Sequence, residues 1–441
     1  MRLTTRLKYL RRDVNLKNWV ANMRRDIKHI RGTNVWIFIL YGLLFDTVAN
    51  LWRPFALPFL NRLGGTALHI TLLNSLPGAV AAIVLLPGAL LFRRFANQKK
   101  ATAVFILISR ALILILAFIP SLPPAIRPML FVVMLGLMNC PDALSQTSLQ
   151  SFLGTVFNGN TRGQAIALRT KFGQAIIPIV SIITGLVITF VPRNEAQRMM
   201  LYQGFFVVAF LVGVVEVRMF TRLKVDETSA IPAINAPKEK QKSREIFHAI
   251  FTNKKFRRFF LPALFFMFTW QAGWPLFAIQ QVQILQATEL WFAIFALASG
   301  TSAFLSGTIW QKLLQKHGNN TIFVIAGLLL AINTALAPFV PNVQMMAVLS
   351  FFTGASAIGI NTALLNGVLE ATPDDNRMMY LAFYNTIVNI SLFIAPFFAH
   401  FMFSQWGNMT ALFVVSALRV VSTGLVWVMH SRKLDEQIRV S

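Results

Sequence analysis

Three polar side chains interrupt the first long apolar run, which spans residues 35–60: Asp46, Asn50 and Arg53. Spacings of four and three residues place them on one face of a helix. At about 1.5 Å per residue, Asp46 lies roughly 16 Å into that helix, near the middle of a bilayer core about 30 Å thick. A charge at that depth needs a partner, a water-filled cavity or a function, so Asp46 is a candidate site for a proton or a cationic group. The structural alternative is an ion pair with Arg53 or Arg110.

Other ionisable residues lie inside later apolar runs. Asp142 is in the fourth run, and Arg169 and Lys171 are in the fifth. We hypothesise that these residues, with Asp46 and Arg110, form a charge network that restrains an inner gate or binds an anionic substrate. A structural ion pair explains Asp142 and Arg169 equally well. For Arg110 and Arg419, in the third and twelfth runs, we expect structural pairing.

The seventh apolar run carries Trp270, Gln271 and Trp274 beside Gly273 and Pro275. A proline with a neighbouring glycine indicates a helix that can bend and line a site. Aromatic surfaces with one amide suit a sugar ring or a hydrophobic cation, whereas core packing of the tryptophans is the alternative. Three amides in the tenth and eleventh runs would add hydrogen-bonding groups to this cavity or would join helices to one another: Asn361, Asn385 and Asn389.

Residues that could form a catalytic or metal site do not cluster in the sequence. Cys140 is the only cysteine, and the six histidines are scattered. Neither an HExxH motif nor a GxxxxGK[ST] phosphate-binding motif occurs. We therefore expect a protein that is not an enzyme, with no catalytic residue, no metal and no cofactor.

The elements that must position these residues are membrane helices. The chain is 56% hydrophobic and only 13% charged, whereas soluble domains carry about 25% charged residues. Its apolar residues form repeated runs of membrane-spanning length, which predicts an all-α integral membrane protein of about twelve transmembrane helices. The predicted spans are residues 35–60, 68–92, 101–120, 129–152, 163–191, 199–220, 259–285, 290–314, 321–340, 345–370, 379–403 and 409–430.

The basic residues behind the net charge of +25 lie mainly in alternate loops, which argues against a nucleic-acid partner. The positive-inside rule then places both termini in the cytoplasm, and we expect a multi-pass protein of the plasma (inner) membrane. The predicted organisation is a basic amphipathic segment on the anionic cytoplasmic leaflet (1–33), a six-helix bundle (34–220), a cytoplasmic linker (221–256), a second six-helix bundle (257–430) and a cytoplasmic tail (431–441).

The two predicted bundles repeat each other. Four pairs of residues recur in the same order at separations of roughly 215 to 221 residues, which indicates an internal duplication and two pseudo-symmetric bundles. The pairs are Pro54 with Pro275, Gly88 with Gly307, Arg162 with Arg377, and Pro178 with Pro396.

This layout, with a glycine-plus-basic loop in each half, resembles bacterial transporters of the major facilitator superfamily. In that family an acid precedes the basic residue of the loop after the second helix; here Phe92 stands in its place. The resemblance implies that the first, fourth, seventh and tenth helices line a central cavity. It also implies gate loops that contain Gly88, Arg93, Arg94, Arg162, Gly307, Lys312, Glu370 and Arg377.

The function that we predict is secondary transport of a small molecule by alternating access, with Asp46 making a proton a candidate coupling ion. We favour efflux of a hydrophobic or cationic compound; uptake of a sugar or an organic ion is the alternative. A non-transporting scaffold, a scramblase or a membrane-embedded enzyme forms a different class of alternative. The expected partners are the substrate and the lipid bilayer, and the expected state is a monomer.

Overall fold

The computed structural model describes residues 33–92, 97–157, 159–224, 252–373 and 377–440. Most of the predicted amphipathic segment (1–33) and of the linker (221–256) lies outside the described residues, as do Arg93 and Arg94. The side chains of Arg162, Lys171 and Arg377 also lie outside the described residues.

The first half of the chain consists of long helices joined by short loops. Asparagine side chains cap the N-termini of two of them: Asn97 Oδ1 accepts a hydrogen bond from Lys100 N, and Asn194 Oδ1 accepts one from Gln197 N. A 3₁₀ turn, Arg53–Phe55, joins the first two helices. The helices are α1 (Asn34–Trp52), α2 (Ala56–Arg62), α3 (Ala67–Phe92), α4 (Gln98–Leu116), α5 (Arg127–Val156), α6 (Gly159–Phe190) and α7 (Glu195–Thr221).

The second half follows the same plan. Asn253 and Asn342 cap its first and third helices through Phe256 N and Met345 N. A π-helical turn, Gln280–Ile284, extends the first of them. The helices are α8 (Lys254–Ile279), α9 (Glu289–Leu336), α10 (Val343–Ala371) and α11 (Arg377–Val440).

Helix α9 is a hairpin that folds back at Gly318. Ser299 packs against Gly354, and Asn333 Nδ2 lies 3.5 Å from Ser356 Oγ, so both limbs meet the same turn of α10. A straight helix would hold Ser299 and Asn333 about 50 Å apart. Gly318 has φ of 78°, a left-handed conformation that glycine adopts without strain. This hairpin separates the predicted eighth and ninth spans.

Helix α11 folds back in the same way at Gly407, where φ is 76°. Ser391 Oγ donates to Gln271 Oε1 at 2.7 Å, and Arg419 Nη2 donates to Trp270 O at 3.1 Å. The two limbs therefore run beside the same part of α8, although a straight helix would separate Ser391 from Arg419 by about 42 Å. This hairpin separates the predicted eleventh and twelfth spans.

The outer surface of the bundle is apolar, as a membrane protein requires. In the part of the chain that the structure describes, nine helices are long and apolar enough to cross a bilayer, and two of these are the hairpins α9 and α11. Helix α8 is not among them because Pro262, Gln271 and Pro275 interrupt its apolar run. Large apolar side chains such as Ile83 and Phe304 are more than 70% exposed, so lipid is their natural solvent.

The two halves meet through small residues. Gly78 of α3 packs against the backbone of Asn389 and Phe393 in α11. Gly185 of α6 packs against Ala293 in the first limb of α9. Small residues allow helix backbones to approach closely in a membrane, where there is no hydrophobic driving force for their association. These two contacts bring four of the helices together at the junction between the halves.

Candidate functional site

The polar face of α1 points into the first bundle. Arg169 Nη2 of α6 lies 3.2 Å from Asp46 Oδ1, and Ser181 of the same helix donates to Asn50 Oδ1 at 3.2 Å. Arg53 Nη2 lies 3.2 Å from an Asp142 carboxylate oxygen of α5. Asp46 and Asn50 of α1, and Arg53 of the turn that follows it, therefore each contact a neighbouring helix.

The partners in these pairs differ from those expected. Asp46 pairs with Arg169, and not with Arg53 or Arg110, whereas Asp142 pairs with Arg53 and Arg110, and not with Arg169. The reason is local space between α1 and α6. The aliphatic stem of Arg169 crosses α1 at Gly42, and the Asp46 carboxylate crosses α6 at Gly173, where any side chain would collide with these groups.

A second charged cluster lies beside the first. The guanidinium of Arg110 in α4 forms a bidentate interaction with Glu216 of α7: Nε donates to Oε2 at 2.9 Å and Nη2 donates to Oε1 at 3.1 Å. Its Nη1 lies 3.5 Å from Asp142 Oδ1, which also accepts from Ser109 Oγ at 2.5 Å. The buried Arg110 therefore has two carboxylate neighbours, as a charge in a medium of low dielectric constant requires.

Phe45 joins the two clusters. Its ring lies 5.4 Å from the guanidinium of Arg110 and 5.7 Å from that of Arg169. Both distances are within the range of cation–π attraction. Residues of four helices, α1, α4, α5 and α6, together with Glu216 of α7, thus form one connected network.

The second bundle contains an open cavity of about 360 Å³. Trp270 and Trp274 of α8 line it, with ring centroids 6.4 Å apart and the rings nearly perpendicular. Gln281, Asn333 and Thr334 supply polar atoms. Other lining residues are Phe277, Phe295, Ser299, Ser350, Thr353 and Arg419.

The predicted amides do not join this cavity. Gln271 is buried against α11, where its Nε2 donates to Val388 O at 3.3 Å and its Oε1 accepts from Ser391. Asn389 donates to the Asn385 carbonyl one turn earlier in its own helix. The side chain of Asn361 is exposed. We predicted these residues to line the cavity only because amides form hydrogen bonds. In the structure they are not among the residues that line it.

Four of the predicted gate residues, Gly88, Gly307, Lys312 and Glu370, lie within helices and not in loops. Gly88 is inside α3 and Gly307 is inside the first limb of α9. Lys312 and Glu370 have exposed side chains. The pairing of Glu370 with Arg377 stays a prediction, because the Arg377 side chain lies outside the described residues.

A polar junction that the sequence did not indicate joins the two halves. Glu289, at the start of α9, is 1% exposed, and its Oε1 accepts from Arg62 Nε at 2.6 Å and from Tyr202 Oη at 3.0 Å. Arg62 also pairs with Glu195 at 2.6 Å. Nearby, Leu290 N donates to Thr189 Oγ1 of the other half at 3.0 Å. We call this group, Arg62, Glu195, Tyr202 and Glu289, the junction cluster.

The missed residues did carry one signal in the sequence. Aspartate and glutamate together number only 16 in 441 residues. Glu216 stands in an otherwise apolar stretch, and Glu289 directly precedes another. A lone carboxylate in such a position needs a basic partner, so both acids were candidates for ion pairs before their partners were known.

The fold and part of the sequence match known proteins. Residues 285–439 match the family model described as Major Facilitator Superfamily. No curated protein matches the sequence. Among solved structures, the chain is similar to the nucleoside transporter NupG, with 14% identity, 90% of this chain and 99% of that chain covered, and a TM-score of 0.67.

Two further structures show the same fold. A POT family transporter in complex with a thioalcohol-conjugated peptide has 14% identity and a TM-score of 0.65, with 90% of this chain and 96% of that chain covered. A POT family transporter in complex with 5-aminolevulinic acid has the same identity and coverage and a TM-score of 0.64. The sequence match to the family model covers residues 285–439, whereas the fold shared with these transporters extends over 90% of the chain.

Proposed function

We propose that this protein is a secondary transporter in which the two halves rock about a central site and carry a small solute across the membrane. The observation that carries this proposal is the junction cluster. A buried carboxylate of the second half, Glu289, is held by Arg62 and Tyr202 of the first half. When the halves separate, polar groups of this kind can form hydrogen bonds with water in place of those with each other. Apolar side chains would gain no such bonds with water.

The junction cluster lies at one end of the molecule. Asn34, at the start of α1, exchanges two hydrogen bonds with the backbone of Lys224, just after α7. Arg62, Glu195 and Glu289 lie at the opposite ends of their helices. With the expected orientation of the termini, the junction cluster closes the outer side, and this conformation would open toward the cytoplasm.

The proposed coupling element is the pair of Asp46 with Arg169. Protonation of Asp46 would remove the negative charge that holds Arg169, whose guanidinium also faces Phe45. Helix α1 would then be free to move relative to α6. Proton binding would in this way be linked to the rocking of the first half, because a shift of an equilibrium requires a differential interaction in the two states.

Transport is tested with purified protein in proteoliposomes and an imposed pH gradient. The first probes are a radiolabelled nucleoside, a dipeptide and 5-aminolevulinic acid, chosen from the ligands named for proteins of the same fold. We expect gradient-driven accumulation of at least one probe by the native chain. Asp46→Asn should abolish accumulation but keep exchange of labelled for unlabelled solute, because exchange needs rocking and not net proton movement.

Lys316→Gln serves as the control, since it removes an exposed charge outside the network. Accumulation that persists undiminished in Asp46→Asn would remove Asp46 from coupling. Absence of both accumulation and exchange for a broad range of solutes would argue for the alternative of a non-transporting membrane protein.

A further inference from the structure

Arg419, in the second limb of α11, is a buried cation that has no carboxylate partner among the described residues. It is 2% exposed. Its Nη1 donates to Leu330 O at 3.3 Å and to Thr334 Oγ1, and its Nη2 donates to Thr269 O at 3.3 Å and to Trp270 O at 3.1 Å. All four acceptors are uncharged, and Nε has no partner.

The contrast with Arg110 shows that this arrangement needs an explanation. Arg110 is similarly buried, yet it has Glu216 and Asp142 as neutralising partners. A buried charge is ordinarily paired, because transfer of an ion from water to a medium of low dielectric constant is costly. Neutral carbonyls satisfy donors of Arg419 but leave its positive charge uncompensated. A negative group supplied from outside the chain would complete the site.

The surroundings of Arg419 can admit such a group. Arg419 lines the 360 Å³ cavity together with residues of α8, α9 and α10, and none of the described lining residues is acidic. The cavity volume is in the range of small-molecule sites. Gly273 leaves the space that the guanidinium occupies, since any side chain there would collide with Arg419 Nη2. Arg419 therefore lies close against α8 while it also lines the cavity.

The other residues that line the cavity indicate the chemistry of the rest of the ligand. Trp270 and Trp274 present aromatic surface, Trp274 with 40% of its surface exposed. Asn333, Thr334 and Gln281 provide hydrogen-bonding atoms on the same cavity. An apolar or aromatic body would pack on the tryptophans, while a carboxylate would accept hydrogen bonds near the guanidinium, which is the geometry that a small organic acid offers.

We propose that this cavity binds a small organic carboxylate, with the carboxylate at Arg419 and the apolar part against Trp270 and Trp274. A hydrophobic cation, which the tryptophans alone would suit, is disfavoured because it would meet a buried positive charge. The inference rests on the proposed function only in taking the carboxylate as the transported solute. Binding to the cavity is measured in detergent, where no transport takes place. The binding proposal and the transport proposal can therefore be refuted independently.

The test uses the full-length protein in detergent and three probes of nearly equal shape: benzoate, benzamide and benzylammonium. Radiolabelled benzoate is bound at equilibrium and displaced by each unlabelled probe. We expect benzamide to be roughly tenfold or more weaker than benzoate, because it cannot form the charge-assisted contact. Benzylammonium should not compete. Benzamide displacing the label as well as benzoate does, or no saturable benzoate binding at all, would overturn the proposal.

Two variants locate the site. Arg419→Met should abolish benzoate binding, and Ala296→Phe, at another lining residue of the cavity, should do so by filling the cavity while Arg419 is kept. Lys316→Gln, at an exposed position outside the cavity lining, is the control that should bind normally. Elution as a single monodisperse peak in size-exclusion chromatography establishes that each variant is folded. If Arg419→Met does not fold, Ala296→Phe alone tests the proposal. Benzoate binding that survives in a folded Arg419→Met or in Ala296→Phe would place the anion elsewhere and contradict the proposal.

Discussion

At the scale of single residues, buried charges in this protein depend on glycines in neighbouring helices. Arg110 passes α7 at Gly213, where a Cβ atom would lie 2.6 Å from its side chain. Arg419 passes α8 at Gly273 in the same way. A guanidinium on a long stem can reach a partner across a bundle only if the intervening helix offers space. The glycine is therefore as much a part of each charged site as the arginine.

The pair of Arg110 with Glu216 gives a prediction about stability. Glu216→Gln leaves a buried guanidinium with only Asp142 as a carboxylate neighbour. We expect the free energy of unfolding to fall by about 3–5 kcal/mol, the usual cost of removing one partner of a buried pair. Thermal unfolding in detergent measures the effect, and Glu370→Gln, which changes an exposed side chain, should be nearly neutral.

A double variant tests the cause. If the loss comes from an orphaned charge, adding Arg110→Met to Glu216→Gln should restore part of the stability, because no buried guanidinium is left to compensate. A double variant that is destabilised by the sum of the two single changes would show that the residues act independently, contrary to this explanation.

At the scale of helices, the halves are joined where a glycine of one half lets a helix of the other half approach closely. Gly185 of α6 lies against Ala293 of α9, close to the junction cluster. Gly78 of α3 lies against α11. If the halves rock, such contacts must open and close, and helices with a smooth surface can part with little loss of interdigitated packing.

This arrangement predicts a reversible lock between α6 and α9. A Cβ atom built on Gly185 lies 3.0 Å from Ala293 Cβ, near the separation of about 3.5–4.5 Å found in disulfides. Gly185→Cys with Ala293→Cys, in a Cys140→Ser background, should therefore cross-link on mild oxidation. Solute exchange should stop on oxidation and return with reductant, as measured in proteoliposomes.

Each single-cysteine variant is the control and should be indifferent to oxidant. Full exchange by the cross-linked protein would show that α6 and α9 need not separate during transport. That result would place the moving contacts elsewhere in the molecule.

At the scale of the whole molecule, the two ends differ in chemistry. One end carries the junction cluster and the short loop before α7, where Arg193 is exposed. The other end carries the contact of Asn34 with Lys224 and the basic residue Lys99, whose Nζ donates to Leu223 O. The positive-inside rule predicts that this end faces the cytoplasm.

This orientation is tested by labelling intact cells with a membrane-impermeant thiol reagent. In a Cys140→Ser background, Arg193→Cys should react in intact cells, because Arg193 lies at the end that carries the junction cluster. A cysteine added at either terminus should react only after permeabilisation. Labelling of either terminus in intact cells would contradict the orientation and the even number of spans.

The sequence by itself determined the helices and the membrane environment. Long apolar runs between short polar loops are enough to predict an all-α membrane protein, and the long apolar helices of the described residues confirm this prediction. The predicted breaks near Gly318 and Gly407 also coincide with the hairpins. These features are local: they depend on hydropathy, on helix length and on the backbone freedom of glycine.

Only the tertiary structure decided which charges meet. Helical spacing placed Asp46, Asn50 and Arg53 on one face, but it could not say that Arg169 would face Asp46 or that Glu216 would face Arg110. Those pairings depend on how each helix is rotated and shifted against its neighbours, and on gaps such as Gly42 and Gly173. The absence of a carboxylate from the described surroundings of Arg419 is likewise a property of the packed bundle, because nothing within α11 alone specifies what lies opposite it.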